Sequence, residues 1–205
     1  MTRAIEPLLQ PVRIVDLRPT QMTVGLREVT LKRDEWRARV DRDGPSFLGR
    51  HMIPVVIGPK GRFHLIDNHH LVRALFDEDV EDVLVRIITD LSGLGRHAFE
   101  TFMDHKSWIH PYDASGRRRP YADLPAHIGK LADDPYRSLA GAVRRAGGFA
   151  KVDLPFAEFL WGDFFRRRIK QGMVEARFDK ALAKAMTLAA SRDAAYLPGW
   201  AGKDA

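Results

Sequence analysis

With 205 residues, 45% hydrophobic and 29% charged, the chain has a globular rather than a disordered composition, long enough for a compact domain and a helical second lobe. The absence of cysteine excludes disulfides, thiolate metal sites and a cysteine nucleophile, and no apolar run is long enough to span a membrane. The net charge of +6 lies wholly in the second half: residues 1–110 carry 16 Lys/Arg against 16 Asp/Glu, and residues 111–205 carry 17 against 11.

The first residues lack the apolar core of a signal peptide, so a cytoplasmic protein is expected. Val12–Leu17 alternates apolar and polar side chains and reads as a short strand, followed by a turn at Arg18–Gln21 where Pro19 cannot donate to a ladder. After Gly25, Val29, Trp36 and Val40 recur at helical spacing among charges, which predicts an amphipathic helix over 26–40. Glu28 and Lys32 stand one turn apart in the favourable order for an ion pair. Asp43-Gly44-Pro45 breaks that helix. Strand, turn, strand follow over 54–57, 58–61 and 62–66, then a helix over 69–76 and a β-branched strand over 80–88. Residues 92–95 are the expected boundary, dividing the chain into a mixed α+β lobe (1–92) and a helical lobe (93–205). Helices are expected in that second lobe over 97–106, 135–146, 154–169 and 174–191.

The chemistry gathers where a strand runs into a helix, at Phe63-His64-Leu65-Ile66-Asp67-Asn68-His69-His70-Leu71. A helix that begins there aims its unpaired N–H groups and the positive end of its dipole at whatever lies over the junction, an arrangement that suits phosphate. Asp67 and the two histidines add acid–base and metal-binding capacity. The plainer reading is an N-cap at Asp67 or Asn68 beside surface histidines.

Ile66-Asp67-Asn68-His69-His70-Leu71-Val72-Arg73-Ala74 resembles the nucleotide-binding signature of the ParB/sulfiredoxin superfamily, which in many members reads Asp-Gly-His-His-Arg-x-x-Ala. The upstream Arg18-Pro19-Thr20-Gln21-x-x-Val24-Gly25-x-x-Glu28-Val29-x-x-Lys32 looks like the opening of that superfamily's ParB-like "putative nuclease" branch. The likeness continues through 133–140 and 156–166 and so covers most of the chain. It implies a ParB/sulfiredoxin-like sheet lobe with a nucleotide cleft. The sulfiredoxin reaction is excluded, because it needs a cysteine.

The resemblance to the free serine kinases implies a nucleotide-dependent phosphotransferase acting on a small hydroxyl metabolite such as serine, with ATP or ADP and magnesium. It gives Glu28 the role of base and places Asp67 beside the metal and phosphates. Thr20, Lys32, Asn68, His69, His70 and Arg73 are then the candidate phosphate contacts. These roles match what phosphoryl transfer requires: held phosphates, a cation that spreads charge, and a residue that orients the nucleophile. Two positions depart from the pattern, with Asn68 in place of glycine and Leu71 in place of arginine. Asn tolerates a left-handed turn. Leucine removes a guanidinium that would grip phosphate. The alternatives are a ParB-like nuclease or DNA-binding protein, acting through Arg117–Arg119 or Arg166–Arg168, and a regulatory domain that has lost catalysis. Nucleic acid is the less favoured partner, since no helix pair with a short glycine turn presents a recognition helix.

In the second half, Phe156, Phe159, Trp161, Phe164 and Phe165 read as core. Asp163 is expected to pair with Arg166 or Arg167 one turn away. Glu158 has no sequence-local cation and is the candidate for the cleft wall. Asp133-Asp134-Pro135 reads as a capped helix start.

Overall fold

The computed structural model describes residues 9–43 and 52–202. The helix break expected at Asp43-Gly44-Pro45 falls at the edge of the first of these ranges and runs outside it.

The architecture is α+β. A five-stranded mixed sheet has the order β1-β6-β4-β5-β2. Its strands are β1 (Leu9–Arg13), β2 (Arg18–Pro19), β4 (Ile53–Gly58), β5 (Arg62–Leu65) and β6 (Asp82–Asp90). β1 and β6 are antiparallel, β6 and β4 parallel, β4 and β5 antiparallel, and β5 and β2 parallel. A second, two-stranded parallel ladder joins β3 (Thr23–Val24) to β7 (Ala132–Asp133), far apart in sequence. The segment expected as one strand over 12–17 instead leaves the sheet after Arg13, and Ile14–Asp16 form a 3-10 turn with Ile14 buried.

The sheet is covered on both faces. Val55 of the central β4 belongs to one core with Val12, Leu65, Val83 and Val85, closed by α1 (Leu26–Asp43) and α2 (His69–Asp77) through Val29, Trp36, Leu71 and Leu75. The neighbouring Val56 faces the other way and packs on Phe99 and Met103 of α3 (Arg96–His105) and on Ile109. That alternation is the period-2 geometry of a strand.

The rest of the chain builds a second core from α4 (Pro135–Arg145), α5 (Ala157–Arg166), α6 (Gln171–Ala176) and α7 (Phe178–Ala190). Trp161, Phe164 and Phe165 are fully buried there, and alanines 181, 185 and 189 let α7 approach closely. The helix expected over 174–191 is two helices, broken at Arg177 with φ −143° and ψ 57°. After α7 the chain returns to the helical core, where Trp200 pairs with Phe149 and Ala150 N–H donates to Gly199 O at 2.7 Å.

The two cores are joined at the start of α1. Leu26 N–H donates to Asp133 Oδ1 at 2.8 Å and Arg27 N–H to Ser138 Oγ at 3.2 Å, so side chains more than a hundred residues away cap this helix. Asp134 in turn caps α4 by accepting from Tyr136 N–H at 3.0 Å. Arg166 ties it down at 2.5 Å and also pairs with Asp163, as the one-turn spacing predicts.

Gly25 is what allows this approach. A Cβ there would stand 2.6 Å from both the backbone N and the Oγ of Ser138. Gly25→Ala is therefore expected to lose about 1–3 kcal/mol of stability in urea unfolding. Ser138→Ala will not rescue it, because the backbone nitrogen remains in the way.

Candidate functional site

β5 runs out at Leu65, and the chain crosses Asp67 and Asn68 to enter α2. Asn68 adopts φ 64° and ψ 25°, the left-handed turn for which its side chain is suited. Asp67 is exposed, and its Oδ1 accepts from Asn68 N–H at 2.7 Å. No side chain caps α2. Its first residues, His69 and His70, line with Asp67 and Asn68 a cavity of about 750 Å³, within the range of small-molecule sites.

One wall of that cavity is the junction itself, Asp67–His70, with Gln21, Ile88 and Arg86 from the sheet lobe. The opposite wall comes from the helical lobe: Arg137 and Arg144 of α4, the loop 149–156, and Ala157, Glu158 and Phe159 of α5. α5 also starts from a left-handed residue, Phe156, with φ 60° and ψ 17°. For a bulky aromatic this is strained by roughly 1–3 kcal/mol.

Arg137 is the least ordinary member of the wall. It is 6% exposed, and its Nε and Nη1 have no hydrogen-bond partner. Its guanidinium stacks 3.5 Å from the centroid of the Phe159 ring. Burial lowers its pKa to about 10, against the pull of Glu158, Asp134 and Glu28. Gln21, 5% exposed, likewise leaves its Nε2 unpartnered.

The histidines of the junction serve the architecture. Thr20 N–H donates to His69 Nε2 at 3.2 Å, and Gly25 N–H donates to His70 Nε2 at 3.0 Å. An imidazole nitrogen that accepts is unprotonated, so each ring is neutral with its proton on Nδ1. Burial, reinforced by Arg137, pushes His69 down to about 3 and His70 well below its ordinary value.

The other predicted site residues divide clearly. Asp67, Asn68, His69, His70 and Glu158 lie on the cavity wall, where Glu158 pairs with Arg144 at 2.8 Å. Thr20, Glu28, Lys32 and Arg73 do not. Thr20 is buried and donates its hydroxyl to Leu65 O at 2.7 Å. Arg73 pairs with Asp77 at 2.9 Å and donates to Leu131 O at 3.0 Å. The expected Glu28–Lys32 pair does not form. Lys32 turns to Glu35 at 2.8 Å, and Glu28 is gripped by both terminal nitrogens of Arg145. Gly141 makes room for it, since a Cβ there would stand 2.6 Å from Glu28 Cδ.

Arg137, Gln21 and Arg144 were not expected at the site. Arg137, Gly141 and Arg144 recur at helical spacing on α4, and an arginine beside Tyr136, Leu139 and Ala140 on a buried face was the available signal. Phe156 and Phe159, expected as core, line the cavity instead, with the His110 ring tilted against Phe159 at a centroid distance of 3.8 Å. The basic clusters are largely engaged. Arg118 meets Asp104 and Tyr121, Arg119 meets Asp123, and Arg166 meets Asp134 and Asp163.

A family model described as "Putative ParB-like nuclease" matches residues 10–167, which takes in both walls of the cavity. The crystal structure of protein Atu1540 from Agrobacterium tumefaciens is similar throughout. It is 52% identical, with a TM-score of 0.90, over 97% of this chain and 100% of that one. No curated protein matches the chain.

Burial also depresses His64, to about 4, and His110, to about 3. With folded values below 6.5, these four groups stay neutral in the native state while the unfolded chain takes up protons. Their stabilisation is complete above pH 6.5 and declines as pH falls below it, by about 1.4 kcal/mol per pH unit for each histidine, with that of His64, His69 and His110 lost toward pH 3–4. Thermal melts should therefore fall steeply between pH 6.5 and 5. His69→Gln, which keeps an acceptor for Thr20 N–H, should flatten that slope by about one proton. A melting temperature constant from pH 7 to 5 would contradict this account.

Proposed function

The chain belongs to the family described as "putative ParB-like nucleases", and on that premise we propose that its cleft binds the phosphates of a nucleotide. The observation that carries this reading is the uncapped start of α2, whose first residues and left-handed Asn68 line a small-molecule-sized cavity, where a helix N-terminus suits an anion. Asp67 stands at the same point.

A magnesium ion suits Asp67. Among the described residues no group of three or more His, Asp or Glu side chains is gathered to hold a metal. One carboxylate is nevertheless an ordinary protein share for magnesium, which takes its other ligands from phosphate oxygens and water. Bound there, the ion would neutralise charge on the phosphates.

Phosphoryl transfer to a small hydroxyl substrate is the finer form of the proposal, and Glu28 is its critical residue. Glu28 is held by Arg145 and is not part of the cavity wall. A role as base requires that pair to open when substrate binds. The second reading is a nuclease, favoured by the description of the matched family. The pairing of Arg118, Arg119 and Arg166 with acidic or phenolic partners weighs against an extended nucleic-acid surface.

Millimolar ADP or ATP is expected to raise the melting temperature, further with magnesium. Asp67→Asn should abolish the magnesium-dependent part and leave the rest. If no nucleotide shifts the melting temperature at that concentration, the reading fails. Should the protein be a kinase, Glu28→Gln will lose turnover while keeping nucleotide-induced stabilisation. Salt-sensitive binding and cleavage of DNA at low ionic strength would favour the nuclease instead.

A further inference from the structure

α2 accounts for only one side of the cavity. Two further lining side chains are buried with donors to spare, Gln21 beside the junction and Arg137 on the wall across from it. Leaving a desolvated guanidinium unpaired is costly, and natural cores avoid it unless a partner arrives from outside. The acidic groups that influence Arg137 do not satisfy it. Asp134 is engaged by Arg166, Glu28 by Arg145 and Glu158 by Arg144. Stacking on Phe159 covers one face of the guanidinium and leaves Nε and Nη1, which lie in its plane, without acceptors. Gln21 is bridged through its backbone to His110, whose ring packs on the same Phe159, so the two unsatisfied side chains belong to one cluster.

The start of α5 contributes to the same wall. Phe156 turns left-handed to begin the helix, and no side chain caps it. Glu158 in its first turn would repel an anion, but its carboxylate is neutralised by Arg144.

We infer that the cavity holds two anionic groups at once, one on the N–H groups of α2 and a second on Arg137 and the Gln21 amide. The ligand class is an oligophosphate chain long enough to engage both poles. This rests on the phosphate-binding reading of the cleft and adds its second half. It also separates Arg137 from a purely structural role, because a ligand-binding charge burdens the empty fold whereas a stacking arginine supports it.

The test titrates inorganic phosphate and tripolyphosphate calorimetrically into the full chain and two variants, with melting temperatures recorded alongside. Wild type is expected to bind tripolyphosphate at least about thirtyfold more tightly than phosphate, the second pole adding the equivalent of one charge-assisted hydrogen bond. Arg137→Met should weaken tripolyphosphate binding about tenfold or more, change phosphate binding by no more than a few-fold, and melt no lower than wild type. Gln21→Leu, which spares the charge, should cost tripolyphosphate about three- to tenfold. Unchanged tripolyphosphate affinity in both variants would remove the second pole and leave the α2 site standing. So would a lowered melting temperature with unchanged affinity in Arg137→Met, which would make the stacking structural. A wild-type protein that binds neither phosphate, tripolyphosphate nor ADP would remove both readings.

Discussion

Everything at the cleft depends on how residues 20–28 are held. This short piece of backbone offers N–H groups that no sheet or helix can satisfy, and four side chains from distant parts of the chain accept them. His69 takes Thr20, His70 takes Gly25, Asp133 takes Leu26 and Ser138 takes Arg27. The first two acceptors come from the sheet lobe and the last two from the ladder and helix beyond it. One segment is thus stitched to both cores, and the cavity is the space left where they meet. The Thr20 N–H is buried, and left unmet it would cost about 1–3 kcal/mol, so the stitching constrains the fold most firmly at that end. It also explains why both histidines must remain neutral: a protonated ring has no lone pair to offer.

The elements with a clear period were legible in the sequence. The strands at 53–58 and 82–90 and the helices at 26–43, 69–77 and 135–145 all announced themselves by apolar spacing and by punctuation at proline or glycine. The two-residue strands were not. Arg18–Pro19, Thr23–Val24 and Ala132–Asp133 are too short to carry a period, and they exist because of their partners. The break at Arg177 was hidden for a related reason. Flanking residues on both sides favour helix, and both segments pack against α4.

The site was legible as a place more than as a set of roles. The strand–helix junction marked the α2 start, and its Asn68 turned left-handed as that residue type permits. The roles of His69 and His70 could not be read, because their partners are backbone groups about 45 residues away. Glu28 was misjudged in its pairing for the same reason. A local i,i+4 contact with Lys32 is worth only about 0.2–0.5 kcal/mol. A two-pronged grip from Arg145, across a gap cleared by Gly141, outweighs it once the lobes close.

The departure at Leu71 gains meaning from the same closure. Leu71 is 5% exposed and packs its side chain in the core, and it does not line the cavity. The cavity still contains a guanidinium, delivered by α4 from the opposite wall. A cation on the junction helix moves with the helix that presents the phosphate-facing N–H groups. A cation on α4 responds instead to the distance between the lobes. The four N–H contacts and the Glu28–Arg145 grip set that distance. The arrangement places the buried guanidinium of the cleft under the same contacts that join the two cores.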